Sequence, residues 1–204
     1  MDLSLGLCIP STVEPDYPFV FYNKENTSIE NYFTVDECQS IIDIYENSSA
    51  NLASTDGGMN NNYRKVSKVN IETSQFETLF IQEKISSALY YCNKDYYGFN
   101  LSGLVEPFEI LKYEGIKKSF YKKHIDWSRM QIYERKLSIV VQLSDPSSYT
   151  GGDTNIYIGD PVQTLEKKQG TINIFPSFFL HEVTPVLTGT RYALVSWVSG
   201  PPWR

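Results

Sequence analysis

Two periodicities divide the chain. In the first half, apolar residues recur mainly at helical spacing. Thr34-Val35-Asp36-Glu37 has the spacing of a capping box and leads into Ile41, Ile42, Ile44 and Tyr45, which predicts a helix over about 34–47. Ser74-Gln75-Phe76-Glu77 repeats that box, and Ile81, Ile85, Ala88, Leu89 and Cys92 follow at helical spacing, predicting a second helix that ends near Asn93. Both read as packing elements laid on a sheet. Residues 18–23 (PFVFYN) and 65–72 (KVSKVNIE) read as strands. Between the first helix and the second of these strands lies a Ser-, Asn- and Gly-rich stretch. It is a surface connection or a lid, with 55–65 as its tip.

From about residue 99 the helical period disappears. Short alternating or apolar runs at 99–104, 106–114, 120–126, 137–144, 154–159, 170–175 and 190–198 predict strands. Turn signals separate them, among them Asp145-Pro146, Gly151-Gly152, Gly159-Asp160-Pro161 and Thr188-Gly189. Many short strands without intervening helices imply a sandwich or jelly roll. The expected fold is therefore mainly β with supporting helices: a jelly-roll core over 99–200, with two N-terminal helices on one sheet within a support region over 1–98. A chain of 204 residues suits one such domain, 1–204, and is long enough to bury a sizeable core.

Composition narrows the function classes. The net charge is −6, from 18 Lys and Arg against 24 Asp and Glu, so no nucleic-acid partner is expected. The three cysteines, Cys8, Cys38 and Cys92, lack paired spacing, which fits a reducing, cytoplasmic setting better than a disulfide framework. The N-terminus has no basic region ahead of its apolar stretch and does not read as a secretory signal. No apolar run reaches the roughly 20 residues of a bilayer span, so no membrane partner is expected.

The chain has only two histidines, His124 and His181. On a strand, positions i and i+2 share a face, so His124 and Asp126 project side by side. A second imidazole from His181 would complete two nitrogens and one oxygen, the facial set of mononuclear non-haem Fe(II) oxygenases. On spacing alone, structural roles for these residues stand beside that reading. Arg191 opens the last strand on the face shared by Ala193, Val195 and Trp197. A guanidinium entering a buried face needs an anion. That anion is either a protein acid at the rim or the distal carboxylate of a dicarboxylic co-substrate.

The segments Tyr121–Asp126, RKLSIVVQLSDPSSYTGGDTNIYIGD and QGTINIFPSFFLHEVTPVLTGTRYALVSWV occur in one order. Together they resemble the prolyl 4-hydroxylase-like 2-oxoglutarate- and Fe(II)-dependent dioxygenases, in particular the PKHD-type hydroxylases and their phage relatives. The resemblance covers roughly residues 106–198. It implies that His124, Asp126 and His181 ligate Fe(II) and that Arg191 binds the C5 carboxylate of 2-oxoglutarate. It also places Tyr113 against the co-substrate, with Tyr121, Trp197 and Thr154 as pocket residues; for Tyr121 and Thr154 a plain packing role stands as the alternative. Asp153 occupies a position where relatives often carry glutamate, and is not a ligand. The implied reaction uses O2 to hydroxylate a C–H bond, releasing succinate and CO2, with ascorbate as an optional reductant. Halogenating members of the wider superfamily lack the carboxylate ligand, so Asp126 favours hydroxylation. The resemblance favours a prolyl residue of a peptide or protein as substrate; a free amino acid or small metabolite, or a non-catalytic jelly-roll binding module, are the alternatives. Trp127–Arg135, with Arg129 as a contact, and the 55–65 loop are the expected substrate gate. Phage relatives extend the expected location to a host cytoplasm.

Overall fold

Thr34 closes the first helical turn as its sequence dictates. Its hydroxyl accepts the Glu37 N–H, while the Glu37 carboxylate accepts the Thr34 N–H, starting helix α1 (Val35–Glu46). Such reciprocal capping satisfies two donors that a helix start otherwise leaves without partners. Helix α2 (Leu79–Cys92) runs where the apolar spacing placed it and passes into a π-turn over Asn93–Tyr97. The computed structural model describes residues 26–48, 51–52, 62–72, 78–127 and 133–203. The strand expected at 18–23, the box at 74–77, the loop tip up to residue 61 and Arg129 lie outside them.

The strands form two antiparallel sheets. The larger runs in the order β1 (Thr27–Ile29), β11 (Ile172–Pro176), β7 (Glu134–Gln142), β13 (Val186–Gly200), β5 (Phe108–Glu114), β4 (Ser67–Ile71) and β2 (Asn51–Leu52); β8 (Tyr149–Gly151) pairs with β13 off that path. The smaller runs β10 (Gln163–Thr164), β9 (Thr154–Ile156), β12 (His181–Val183), β6 (Phe120–His124) and β3 (Arg64–Lys65). Non-sequential neighbours in both sheets match the jelly-roll expectation.

Two expectations need correction. Residues 99–104 form no strand; only Gly103 makes an isolated bridge, to Ser199. The Asn93 side chain captures both the N–H and the C=O of Phe99, so neither is available to a ladder. The strand expected at 65–72 is two strands, β3 in the smaller sheet and β4 in the larger, with buried Val66 between them.

The larger sheet is covered on both faces. On one, Phe108, Ile110, Ile139 and Leu194 join Ile41 of α1 and Ile81, Ile85 and Leu89 of α2 in the main core. On the other, Ala193 and Val140 meet Ile156 of the smaller sheet, and Leu111 and Tyr113 meet Val183. The last strand is therefore buried on both sides, not only on the face of Arg191. Leu194, fully buried in the main core, is a direct probe of that burial. Leu194→Ala is expected to cost about 2–5 kcal/mol in urea unfolding.

Candidate metal centre

His124 ends β6 and His181 begins β12, and the two are direct partners across the antiparallel pair. Their rings lie 4.1 Å apart, centroid to centroid. Asp126 follows β6, where its N–H and that of Trp127 both donate to the Ser177 carbonyl, at 2.9 and 3.1 Å. Backbone pairing thus fixes all three side chains before any metal enters. One donor atom from each lies within 4.8 Å of the others. Nε2 of His124 is 3.6 Å from Asp126 Oδ1, and Nε2 of His181 is 3.5 Å from Oδ2.

The remaining hydrogen bonds decide which atoms face inward. His124 Nδ1 lies 2.7 Å from the Lys122 carbonyl and His181 Nδ1 lies 2.9 Å from the Phe179 carbonyl. A carbonyl only accepts, so each Nδ1 carries a proton, and each ring turns its Nε2 toward the other donors. Asp126 Oδ2 accepts the Ser138 hydroxyl at 2.7 Å, and the Ser177 hydroxyl stands 3.0 Å from Ser138 Oγ. Burial acts to raise the Asp126 pKa, but the His181 and His124 imidazoles, with Trp197 and Ser138, outweigh it and hold it down to about 2. Burial, helped by His181, lowers His124 to about 4. Near neutral pH these two groups are a carboxylate and a neutral imidazole, the protonation states a metal requires. Two imidazole nitrogens and one carboxylate oxygen with oriented outer partners suit Fe(II).

The same cavity contains a place for an anion. Arg191 is 1% exposed, and its Nη2 donates to Gln142 Oε1 at 2.9 Å and to Thr154 Oγ1 at 3.3 Å. Among the described residues no carboxylate pairs with it, and its buried Nε has no hydrogen-bond partner. A rim salt bridge with a described acid is therefore ruled out. A buried cation held only by neutral groups suits an incoming carboxylate, which supplies the missing charge. Gly152 makes room for the Arg191 side chain. Its φ of +63° favours glycine, and a Cβ there would lie 3.1 Å from Arg191 Cδ. Tyr113, fully buried, faces the guanidinium with its ring centroid 5.2 Å from Cζ. Burial raises its pKa against the lowering effect of Arg191, so its hydroxyl keeps its proton.

His124, Asp126, His181, Arg191, Tyr113, Tyr121, Trp197 and Thr154 all line this one cavity. Its walls also include Arg64 and Ser138, which sequence reasoning missed, and Gln142 stands behind Arg191. Ser138 carried no signal, because its place beneath Asp126 depends on strand register. Arg64 had a weak one: it is an arginine next to a strand-like run.

Residues 108–199 match the family model of the 2OG-Fe(II) oxygenase superfamily. A PKHD-type hydroxylase of Prochlorococcus marinus is 37% identical over 82 residues, covering 40% of this chain and 37% of that protein. One from Synechococcus sp. (strain CC9311) is 36% identical over 101 residues, covering 50% and 45%. The chain thus spans less than half the length of these curated relatives. Among solved structures, a Trichoplax adhaerens prolyl hydroxylase in complex with a hypoxia inducible factor peptide fragment has a TM-score of 0.72 at 17% identity, covering 86% of this chain and 84% of that one. A Pseudomonas putida prolyl-4-hydroxylase has a TM-score of 0.70 at 18% identity, covering 87% and 94%. At these identities the structural likeness concerns the fold.

Proposed function

We propose that this chain, whose residues 108–199 match the 2OG-Fe(II) oxygenase superfamily model, is a prolyl 4-hydroxylase-like member of that superfamily and hydroxylates a C–H bond of a peptide or protein substrate, a prolyl residue being the leading choice. The observation that carries this reading is the pairing of two sites in one cavity: three metal donors within 4.8 Å of one another, and a buried guanidinium without a carboxylate. The peptide preference draws on the family and on the Trichoplax adhaerens neighbour, whose structure contains a peptide.

In this reading His124 and His181 ligate Fe(II) through Nε2, and Asp126 through its carboxylate. Bound there with 2-oxoglutarate and O2, iron supplies the oxidising power that turns C–H into C–OH, with release of succinate and CO2. The protein's contribution is position and electrostatics. The Lys122 and Phe179 carbonyls keep both Nδ1 atoms protonated, so that each Nε2 lone pair stays turned inward. Ser138 fixes the Asp126 carboxylate. Arg191, oriented by Gln142 and Thr154, binds the C5 carboxylate, and the protonated Tyr113 hydroxyl donates to the co-substrate. Tyr121 and Trp197 form walls that keep water from the reacting centre.

Anaerobic addition of Fe(II) and 2-oxoglutarate to the protein is expected to give a metal-to-ligand charge-transfer band. Aerobic incubation with a peptide library is expected to give succinate and peptides heavier by one oxygen. Folded protein that shows no band ends the co-substrate assignment. Succinate formed with a metabolite panel but with no peptide modified would move the substrate to the small-molecule class.

A further inference from the structure

Tyr121 and His124 are three residues apart, so a regular strand would send them to opposite faces. Instead their rings stack, with centroids 3.5 Å apart and planes at 17°. The cause is a bulge. His124 is opposite His181 and Tyr121 is opposite Val183, so two residues of β6, Lys122 and Lys123, oppose the single Glu182 of β12. An extra residue on one strand bends it and re-aims the side chains that follow. Both lysines are exposed, and Lys123 Nζ lies over the Tyr157 ring at 3.8 Å.

On the other edge of β6, Tyr63 extends the β3–β6 pairing by one residue and so braces the bulged segment. Its carbonyl accepts the Lys122 N–H at 3.0 Å, and its hydroxyl donates to the Lys123 carbonyl at 3.0 Å. The Lys122 carbonyl is thereby left facing His124 Nδ1. The Tyr63 ring also meets Tyr121 edge-on at 5.9 Å, and the next residue, Arg64, sets its guanidinium 4.5 Å from the centre of the Tyr121 ring. Arg64 is itself anchored on Glu109 of β5 at 3.3 Å. Besides His181 on the partner strand and Asp126, the contacts of His124 are the Lys122 carbonyl and the Tyr121 ring, the first in the bulge and the second held by the residues clamping it.

We propose that Tyr63 is a positioning residue for His124: by clamping the Lys122–Lys123 bulge it holds the Tyr121 stack and the ring orientation of a metal ligand, and so sets metal affinity. This rests on the iron-site reading above and adds to it a residue far from the ligands in sequence. Tyr63 touches no metal or co-substrate in this account. It acts through the backbone of β6.

The test uses Co(II), which reports ligand geometry by its d–d absorption, titrated into the whole apoprotein. Tyr63→Phe keeps the ring and loses only the hydroxyl, while Tyr121→Leu removes the stack and leaves the clamp. Both are expected to weaken Co(II) binding by about 10-fold, near the lower end of outer-partner effects on metal sites, and to change the d–d spectrum of the saturated protein. Tyr121→Phe, which keeps the stack, is expected to restore wild-type affinity and spectrum. If either disruptive variant lowers the thermal midpoint of the apoprotein while binding Co(II) with wild-type affinity and spectrum, the positioning role is overturned. If the wild-type protein binds no Co(II), the metal-site reading fails first, and the two failures are distinguishable.

Discussion

Arg191→Met is expected to weaken 2-oxoglutarate binding by roughly 30-fold to several thousand-fold, with Fe(II) affinity retained. Losing one partner of a desolvated, hydrogen-bonded charge pair costs about 2–5 kcal/mol, and each 1.4 kcal/mol is tenfold. The size of the effect follows from burial: Arg191 is 1% exposed and no described carboxylate offsets its charge. The same fact predicts a second, opposite tendency in the apoprotein. Methionine removes an isolated interior cation, which favours folding. It also strips Gln142 and Thr154 of their donor, which disfavours folding. The two oppose each other, so the thermal midpoint should stay within about 4 °C of wild type, the shift that roughly 1 kcal/mol produces at this chain length. A 2-oxoglutarate titration followed by the charge-transfer band measures the first effect. An unchanged titration midpoint would remove Arg191 from the co-substrate site.

His181→Ala is expected to abolish the charge-transfer band and turnover. Changes to residues that merely orient metal ligands cost about 10–100-fold in affinity, and loss of a ligand from a set of three should exceed that. Only two nitrogens are available, because His124 and His181 are the only histidines in the chain. No neighbour can substitute: the described residues hold no other grouping of His, Cys, Asp and Glu that suits a metal. Far-ultraviolet circular dichroism should stay native, since the main core of Leu194, Ile139 and the helix residues lies on the opposite side of the larger sheet. A folded His181→Ala protein that still binds Fe(II) with wild-type affinity would falsify the ligand assignment.

The candidate site combines two demands that usually conflict. In the proposed reading the metal donors must be buried yet present a carboxylate oxygen and two imidazole Nε2 atoms, and the anion pocket must keep a cation without a fixed partner. The fold meets the first with backbone carbonyls at both Nδ1 atoms and a serine at Asp126. It meets the second with neutral oxygens of Gln142 and Thr154, which orient the guanidinium without cancelling its charge. A glutamate at position 142 would neutralise Arg191 and, in the proposed reading, compete with the co-substrate.

How much of this the sequence held can be judged residue by residue. The two-residue period of a strand was enough to put His124 and Asp126 together, because that relation is local. The scarcity of histidine pointed to His181, and an arginine on an apolar strand face announced an unmet charge. The first helix was legible from its capping box and both helices from apolar spacing, for the same local reason. What required the tertiary structure was everything fixed by register between strands. Ser138 lies under Asp126, Gln142 meets Arg191, and Arg64 reaches Tyr121 only because sheets pair residues distant along the chain. The strand expected at 99–104 failed because a side chain, Asn93, took its backbone groups first. Even the motif Tyr121–Asp126 was only half readable. Alternation placed Asp126 beside His124, but the extra residue at Lys122–Lys123 placed Tyr121 there too, and an extra residue has meaning only relative to the strand it pairs with.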